Sequence, residues 1–85
     1  MRLDKFLKVA RIFKRRTIAK EVSKNNRITI NNYPAKPSSN IKIGDKLVIT
    51  YGKKELTIKV KQISTHATKE TSEGMYEIIS EHKLN

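Results

Sequence analysis

Cysteine is absent from the 85 residues, which excludes disulfide stapling and thiolate metal sites and is compatible with a reducing compartment. Glycine occurs three times and proline twice, and no glycine-rich loop able to cradle a phosphate is present. No apolar run approaches the roughly 20 residues needed to span a bilayer. Acidic residues are also scarce, 8 against 19 Lys and Arg, leaving a net charge of +11. A compact body with that charge repels itself, and the usual compensation is a polyanionic partner. The chain is long enough for one domain. At 36% hydrophobic residues it supports a small core but no deep cleft between lobes. A domain of this size buries only about 60% of its unfolded surface, so marginal stability is expected.

The first ten residues are interrupted by Asp4, Lys5 and Lys8, so they lack the apolar centre of a signal peptide. They share the basic, amphipathic character of a transit peptide, but losing them would strip a short domain of much of its apolar content. The expected address is cytoplasmic and unprocessed. Charge is uneven along the chain: residues 1–24 carry a net +7, residues 25–63 a net +6 and residues 64–85 a net −2. The anion-binding density therefore lies in the first third.

Leu3, Phe6, Leu7 and Ala10 fall at i, i+3, i+4, i+7, and Phe13 extends the stripe; this spacing predicts a short amphipathic helix with Arg2, Lys5, Lys8 and Arg11 on its wet surface. Asp4 sits in its first turn, where a carboxylate complements the helix dipole. Ile18, Ala19 and Val22 predict a second helix from about Thr17 to Lys24, stopped by Asn25-Asn26. Alternation then predicts strands at Arg27–Ile30, Lys46–Tyr51 and Leu56–Val60, with turns at Asn31-Asn32, Gly44-Asp45 and Gly52–Lys54. Tyr33 to Asn40 reads as a loop or irregular edge, and Ser64 to Gly74 as a polar loop. Met75 to Glu81 fits either a last strand or a short helix. Two helices followed by an antiparallel sheet is an α+β layout.

Arg2-Leu3-Asp4, Leu7, Arg16, Ala19, Val22, Ile28, Ile30, Asn31, Ser39, Gly44-Asp45, Leu47 and Ile49 together resemble the S4 type of RNA-binding domain. The resemblance implies an S4-like (alpha-L) module, with residues 1–51 as the RNA-binding core and residues 52–85 completing the same domain with strands and an acidic tail. Three positions depart from the family pattern: Arg15 where a capping Ser or Thr is usual, and Asn26 and Asn32 where glycines are usual. Over its whole length, with Lys14-Arg15-Arg16-Thr17 and the Met75-Tyr76 to Lys83-Leu84 ending, the chain resembles the RqcP family of ribosome-associated quality control. That resemblance implies binding to obstructed large ribosomal subunits, through rRNA and tRNA, and support of an RqcH-like protein in alanine tailing. A monomer with no cofactor is expected. The heat-shock S4 proteins that bind free large subunits are the neighbouring family, usually longer and with a basic C-terminal extension.

The candidate RNA-binding residues are Arg2, Asp4, Lys5, Lys8, Arg11, Lys14, Arg15, Arg16 and Lys20. Arg offers a planar fork to phosphate; Arg2, Arg15 and Arg16 are expected to converge at one end of the two-helix unit, with Asp4 orienting Arg2 or Arg16 by a charge-assisted hydrogen bond. Shape recognition is the expected mode, because the deep major groove of A-form RNA cannot be read by a helix. Tyr33 is a possible base-stacking residue. His66 and His82 have no second ligand at metal spacing, and no nucleophile is arranged with a base, so a non-enzymatic binder is expected. The competing reading, a basic helix lying on a membrane surface, needs the Leu3/Phe6/Leu7 stripe that the sheet also needs.

Overall fold

A computed structural model describes residues 1–24, 27–65 and 68–84, with the side chains of Arg16 and Lys69 outside the described set. The expected helix stop at Asn25-Asn26, and with it the Asn26 departure, lies outside the described residues, as does His66. The elements run α1 (Leu3–Val9), α2 (Arg16–Ser23), β1 (Ile28–Ile30), β2 (Tyr33–Pro34), β3 (Lys46–Tyr51), β4 (Lys54–Val60), α3 (Lys69–Ser72), a 3₁₀ turn (Glu73–Met75) and β5 (Tyr76–Lys83). The strands form one antiparallel sheet in the order β2-β1-β3-β4-β5. The α+β layout read from the sequence is the one observed, and the ending expected as strand or helix is a strand.

The apolar periodicities do what their spacing requires. Leu3, Phe6 and Leu7 of α1 and Ala19 of α2 are fully buried, and they meet Ile28, Leu47, Ile49, Ile58 and Val60 from one face of the sheet. Register fixes that face: Ile28 stands opposite Ile49, Ile30 opposite Leu47, and Leu47 opposite Ile58. With a side-chain period of two, a one-residue slip would turn each of these pairs to solvent. Asn31 and Asn32 have φ of 51° and 73°, the left-handed pair that a two-residue hairpin needs. Asn32 therefore fills the usual glycine position without difficulty.

Asn31 and Asp45 tie that hairpin to the turn before β3. Asn31 Nδ2 donates to Asp45 Oδ1 at 3.0 Å, the Lys46 amide donates to Asn31 Oδ1 at 2.9 Å, and the Lys42 amide donates to Asp45 Oδ2 at 2.8 Å. The asparagine and the aspartate of the Gly-Asp pair in the pattern read from the sequence thus form one hydrogen-bonded clasp.

Two local expectations are corrected. Phe13 is buried, but not by a longer helix: the helix stops at Ala10. Arg11 follows with φ 59°, its amide donating to the Lys8 carbonyl and the Ile12 amide to the Leu7 carbonyl, which is a Schellman end with arginine where glycine is usual. The segment from Ser64 to Gly74 is not all loop. Thr68 and Thr71 form a reciprocal capping box that starts α3, and buried Met75 seats the 3₁₀ turn beneath it. A four-residue helix has no room for an apolar stripe, so periodicity is silent there.

Left-handed backbone costs a non-glycine residue roughly 1–2 kcal/mol, and the extra unfolded-state entropy of glycine returns about 0.4–1 kcal/mol. Arg11→Gly is therefore expected to stabilise the fold by about 0.5–1 kcal/mol, seen as a rise of a few degrees in Tm by circular dichroism; a fall would contradict the strain. Asp45→Ala breaks the clasp and is expected to cost about 1–2 kcal/mol in urea unfolding.

Candidate nucleic-acid interface

The site is built around the first turn of α1. The N-cap residue Arg2 makes no side-chain cap, and the orphan amides are satisfied from elsewhere. Leu3 N–H donates to the Ser39 carbonyl at 2.7 Å and Asp4 N–H to the Pro37 carbonyl at 3.1 Å. The Lys5 amide donates to Asp4 Oδ1 at 2.8 Å. Arg2 and Asn40 form an isolated antiparallel bridge. The irregular stretch after β2 is thus the lid on the helix N-terminus.

Asp4 is only 1% exposed. A buried carboxylate needs hydrogen-bonding partners, and Arg2 supplies a fork: Nε to Oδ1 at 3.2 Å and Nη2 to Oδ2 at 3.3 Å. The Arg2 side chain remains 51% exposed. Asp4 therefore aims the guanidinium without covering it, the orienting role expected of it toward Arg2.

Arg2 lines an open groove of about 480 Å³ together with Lys20, Lys24 and Lys36. Ser23, Ala35, Pro37 and Ser38 complete its lining. Sequence reasoning named Arg2 and Lys20 but missed Lys24 and Lys36. Lys24 was findable, since Lys20 and Lys24 stand at i, i+4 and so share a helix face. Lys36 was not, because only the folding of its loop onto α1 brings it there.

The other candidates are not gathered at this point. Lys8, Arg11 and Lys14 line a second groove, at the opposite end of α1. Lys5, partly buried beside Asp4, lines neither groove among the described residues. Arg15 is exposed at the N-cap of α2 and makes no side-chain cap there. Arg2 lies beside the C-terminal half of α2 and Arg15 at its start, so these two do not share a groove. The backbone of Arg16 opens α2; its side chain lies outside the described residues.

Tyr33 is 75% exposed on the edge strand β2 and is available for stacking. No helix is long and apolar enough to cross a membrane among the described residues. The stripe required for a membrane-surface helix is spent on the core, with Leu3, Phe6 and Leu7 at 0% exposure. Among the described residues, no group of three or more His, Cys, Asp or Glu could hold a metal ion.

Comparison with known proteins agrees with this geometry. A family model described as the S4 domain matches residues 1–47. The chain is 51% identical over 85 residues to the RQC P-site tRNA stabilizing factor of Listeria monocytogenes, covering 100% of this chain and 92% of that protein. It is 50% identical over 84 residues to the protein of the same name in Bacillus subtilis, covering 99% and 98%. The solved trimeric structure of Heat Shock Protein 15 from Vibrio cholerae superposes with a TM-score of 0.84 at 30% identity, over 94% of this chain and 82% of that one.

Removing the Asp4 carboxylate strips the Lys5 amide of its acceptor and frees the Arg2 fork. Asp4→Ala is expected to cost about 1–3 kcal/mol in chemical unfolding. A variant as stable as the parent would show that the carboxylate does not hold the helix start.

Proposed function

We propose, from the premise that this chain belongs to the S4 domain family and within it to the RQC P-site tRNA stabilizing factors, that it is a non-enzymatic factor binding rRNA and tRNA on stalled large ribosomal subunits. It acts in the cytoplasm of a bacterium, supporting an RqcH-like protein as that partner extends the obstructed chain with alanine. The observation that carries this reading is the groove at the start of α1. Four cations line it, one of them an arginine held at a fixed angle by a buried acid, and no acidic residue is among its described lining.

Such a groove binds by neutralising phosphates and releasing condensed counterions. Arg2 gives direction, since a planar fork aligns with two phosphate oxygens; Lys20, Lys24 and Lys36 add point charge. Nothing in this arrangement reads base edges, so it distinguishes folded RNA by the path of its backbone. A factor of this kind needs no chemistry of its own: it holds the tRNA and rRNA in place while another protein works.

A second reading, binding of free large subunits in the manner of the heat-shock proteins, is supported by the likeness in fold and by sequence similarity over 64 residues. Sedimentation against large subunits with and without peptidyl-tRNA separates the two. Preference for subunits carrying peptidyl-tRNA supports the first reading; equal binding to both supports the second.

With roughly 6 phosphates engaged, affinity is expected to fall about 10³-fold between 50 and 200 mM salt. The double reversal Lys20→Glu/Lys24→Glu is expected to weaken association with the subunits at least tenfold and to flatten the log–log salt slope by about 2. A flat salt response in the parent, or a double variant that sediments normally, would remove this groove from the RNA surface.

A further inference from the structure

The groove at the far end of α1 has a different character. It is open, about 660 Å³, and its lining joins Lys8, Arg11 and Lys14 from the first helical unit to Thr65, Glu73 and Tyr76 from the end of the chain. Those last three residues fall outside the 1–47 span matched by the S4 family model. The volume lies within the range of roughly 300–1,000 Å³ usual for small-ligand sites. Buried Phe13 forms part of the wall beside partly buried Tyr76, and Tyr76 belongs to β5, which the capping box of α3 and the 3₁₀ turn lead into.

Arg11 gives the second, independent indication. Among the described residues three non-glycine positions have positive φ. Two are asparagines, the type that tolerates it best. The third is an arginine at the helix-ending position where glycine would sit free of strain. Strain retained at a position where it is avoidable points to a use for the side chain.

We infer that this groove receives a single unstacked RNA nucleotide, its base against Tyr76 and its flanking phosphates on Lys8, Arg11 and Lys14. The mixed lining suits a nucleotide better than a bare phosphate, because an aromatic wall stacks a base face while cations at the rim hold the backbone. Glu73 sets the base class: a carboxylate accepts from an exocyclic amino group, as of cytosine, and has no donor for the uracil carbonyl in its place. The inference rests on the RNA-binding reading above and adds to it a site for unpaired nucleotides, separate from the groove that holds a folded backbone.

The test uses the full chain with three fluorescent probes read by anisotropy: oligo-rC and oligo-rU hexamers and a structured RNA hairpin. The expected result is several-fold tighter binding of the rC than of the rU hexamer, a preference that Glu73→Gln reduces. Arg11→Gly, which relieves backbone strain and so keeps the fold, is expected to weaken the rC hexamer at least threefold while the hairpin is affected less. Tyr76→Leu, checked by thermal unfolding, is expected to weaken the rC hexamer by about fivefold or more, the scale of losing one stacked base. If the hairpin binds but rC and rU bind alike and Arg11→Gly changes neither, this site is wrong and the RNA reading stands. If the hairpin itself does not bind, both are overturned.

Discussion

The N-terminal turn of α1 is the joint on which the rest of the molecule is assembled. Its amides cannot be left bare where Leu3 and Phe6 enter the core, and they are closed by the carbonyls of Pro37 and Ser39 and by the Asp4 carboxylate. That closure forces the stretch after β2 to fold back over the helix. The same fold-back carries Lys36 to within one groove of Arg2 and of α2. Stability and the geometry of the groove therefore share atoms here: the acid that completes the helix start is the acid that aims the arginine.

The distribution of charge follows from the sheet. Two of the four acids of the last segment lie on β5 beside lysines of β4 and its extension, with Glu77 at 3.1 Å from Lys61 and Glu81 at 3.9 Å from Lys54. Exposed pairs like these add little stability. Their larger effect is to offset part of the positive charge on the sheet, so the greatest excess of cations stays on the helices. The tail's net −2 is thus consistent with local charge balance, and the field that attracts an anion is concentrated where Arg2, Lys20 and Lys24 stand.

Much of this was legible in the sequence, for reasons that differ by element. The α1 stripe and the β3 and β4 alternations are periodic over enough residues to state their own burial. Asn31-Asn32 declares a left-handed turn by residue type. The Arg2-Leu3-Asp4 start carries both the core contact and the ion pair within three residues, so its role was readable before the fold. What escaped depended on long-range closure or on exceptions to preference. Lys36 joins the site only through a loop docking about thirty residues from its helix, and α3 is too short for a period and starts on a Thr-x-x-Thr box rather than one with Glu or Gln. Arg11 breaks the glycine rule that would have marked the helix end at residue 10. The apolar pattern ran past that point because Phe13 does reach the core, by a turn and not by a helix.

The separation of the two basic grooves follows from the length of α1, which stands between them. From Arg2 to Arg11 the backbone advances by roughly 13 Å at helical rise, against a screening length of about 8 Å at physiological ionic strength. Charges that far apart in water act almost independently, so one bound phosphate cannot satisfy both ends. A longer helix would have carried Arg11 and Lys14 onward along its axis. The Schellman turn instead folds them back against the end of the chain, where Tyr76 and Glu73 complete a lining that the first helices alone cannot make. The strained arginine is thus the point at which the helical unit, sufficient for the first groove, is joined to the C-terminal segment to form the second.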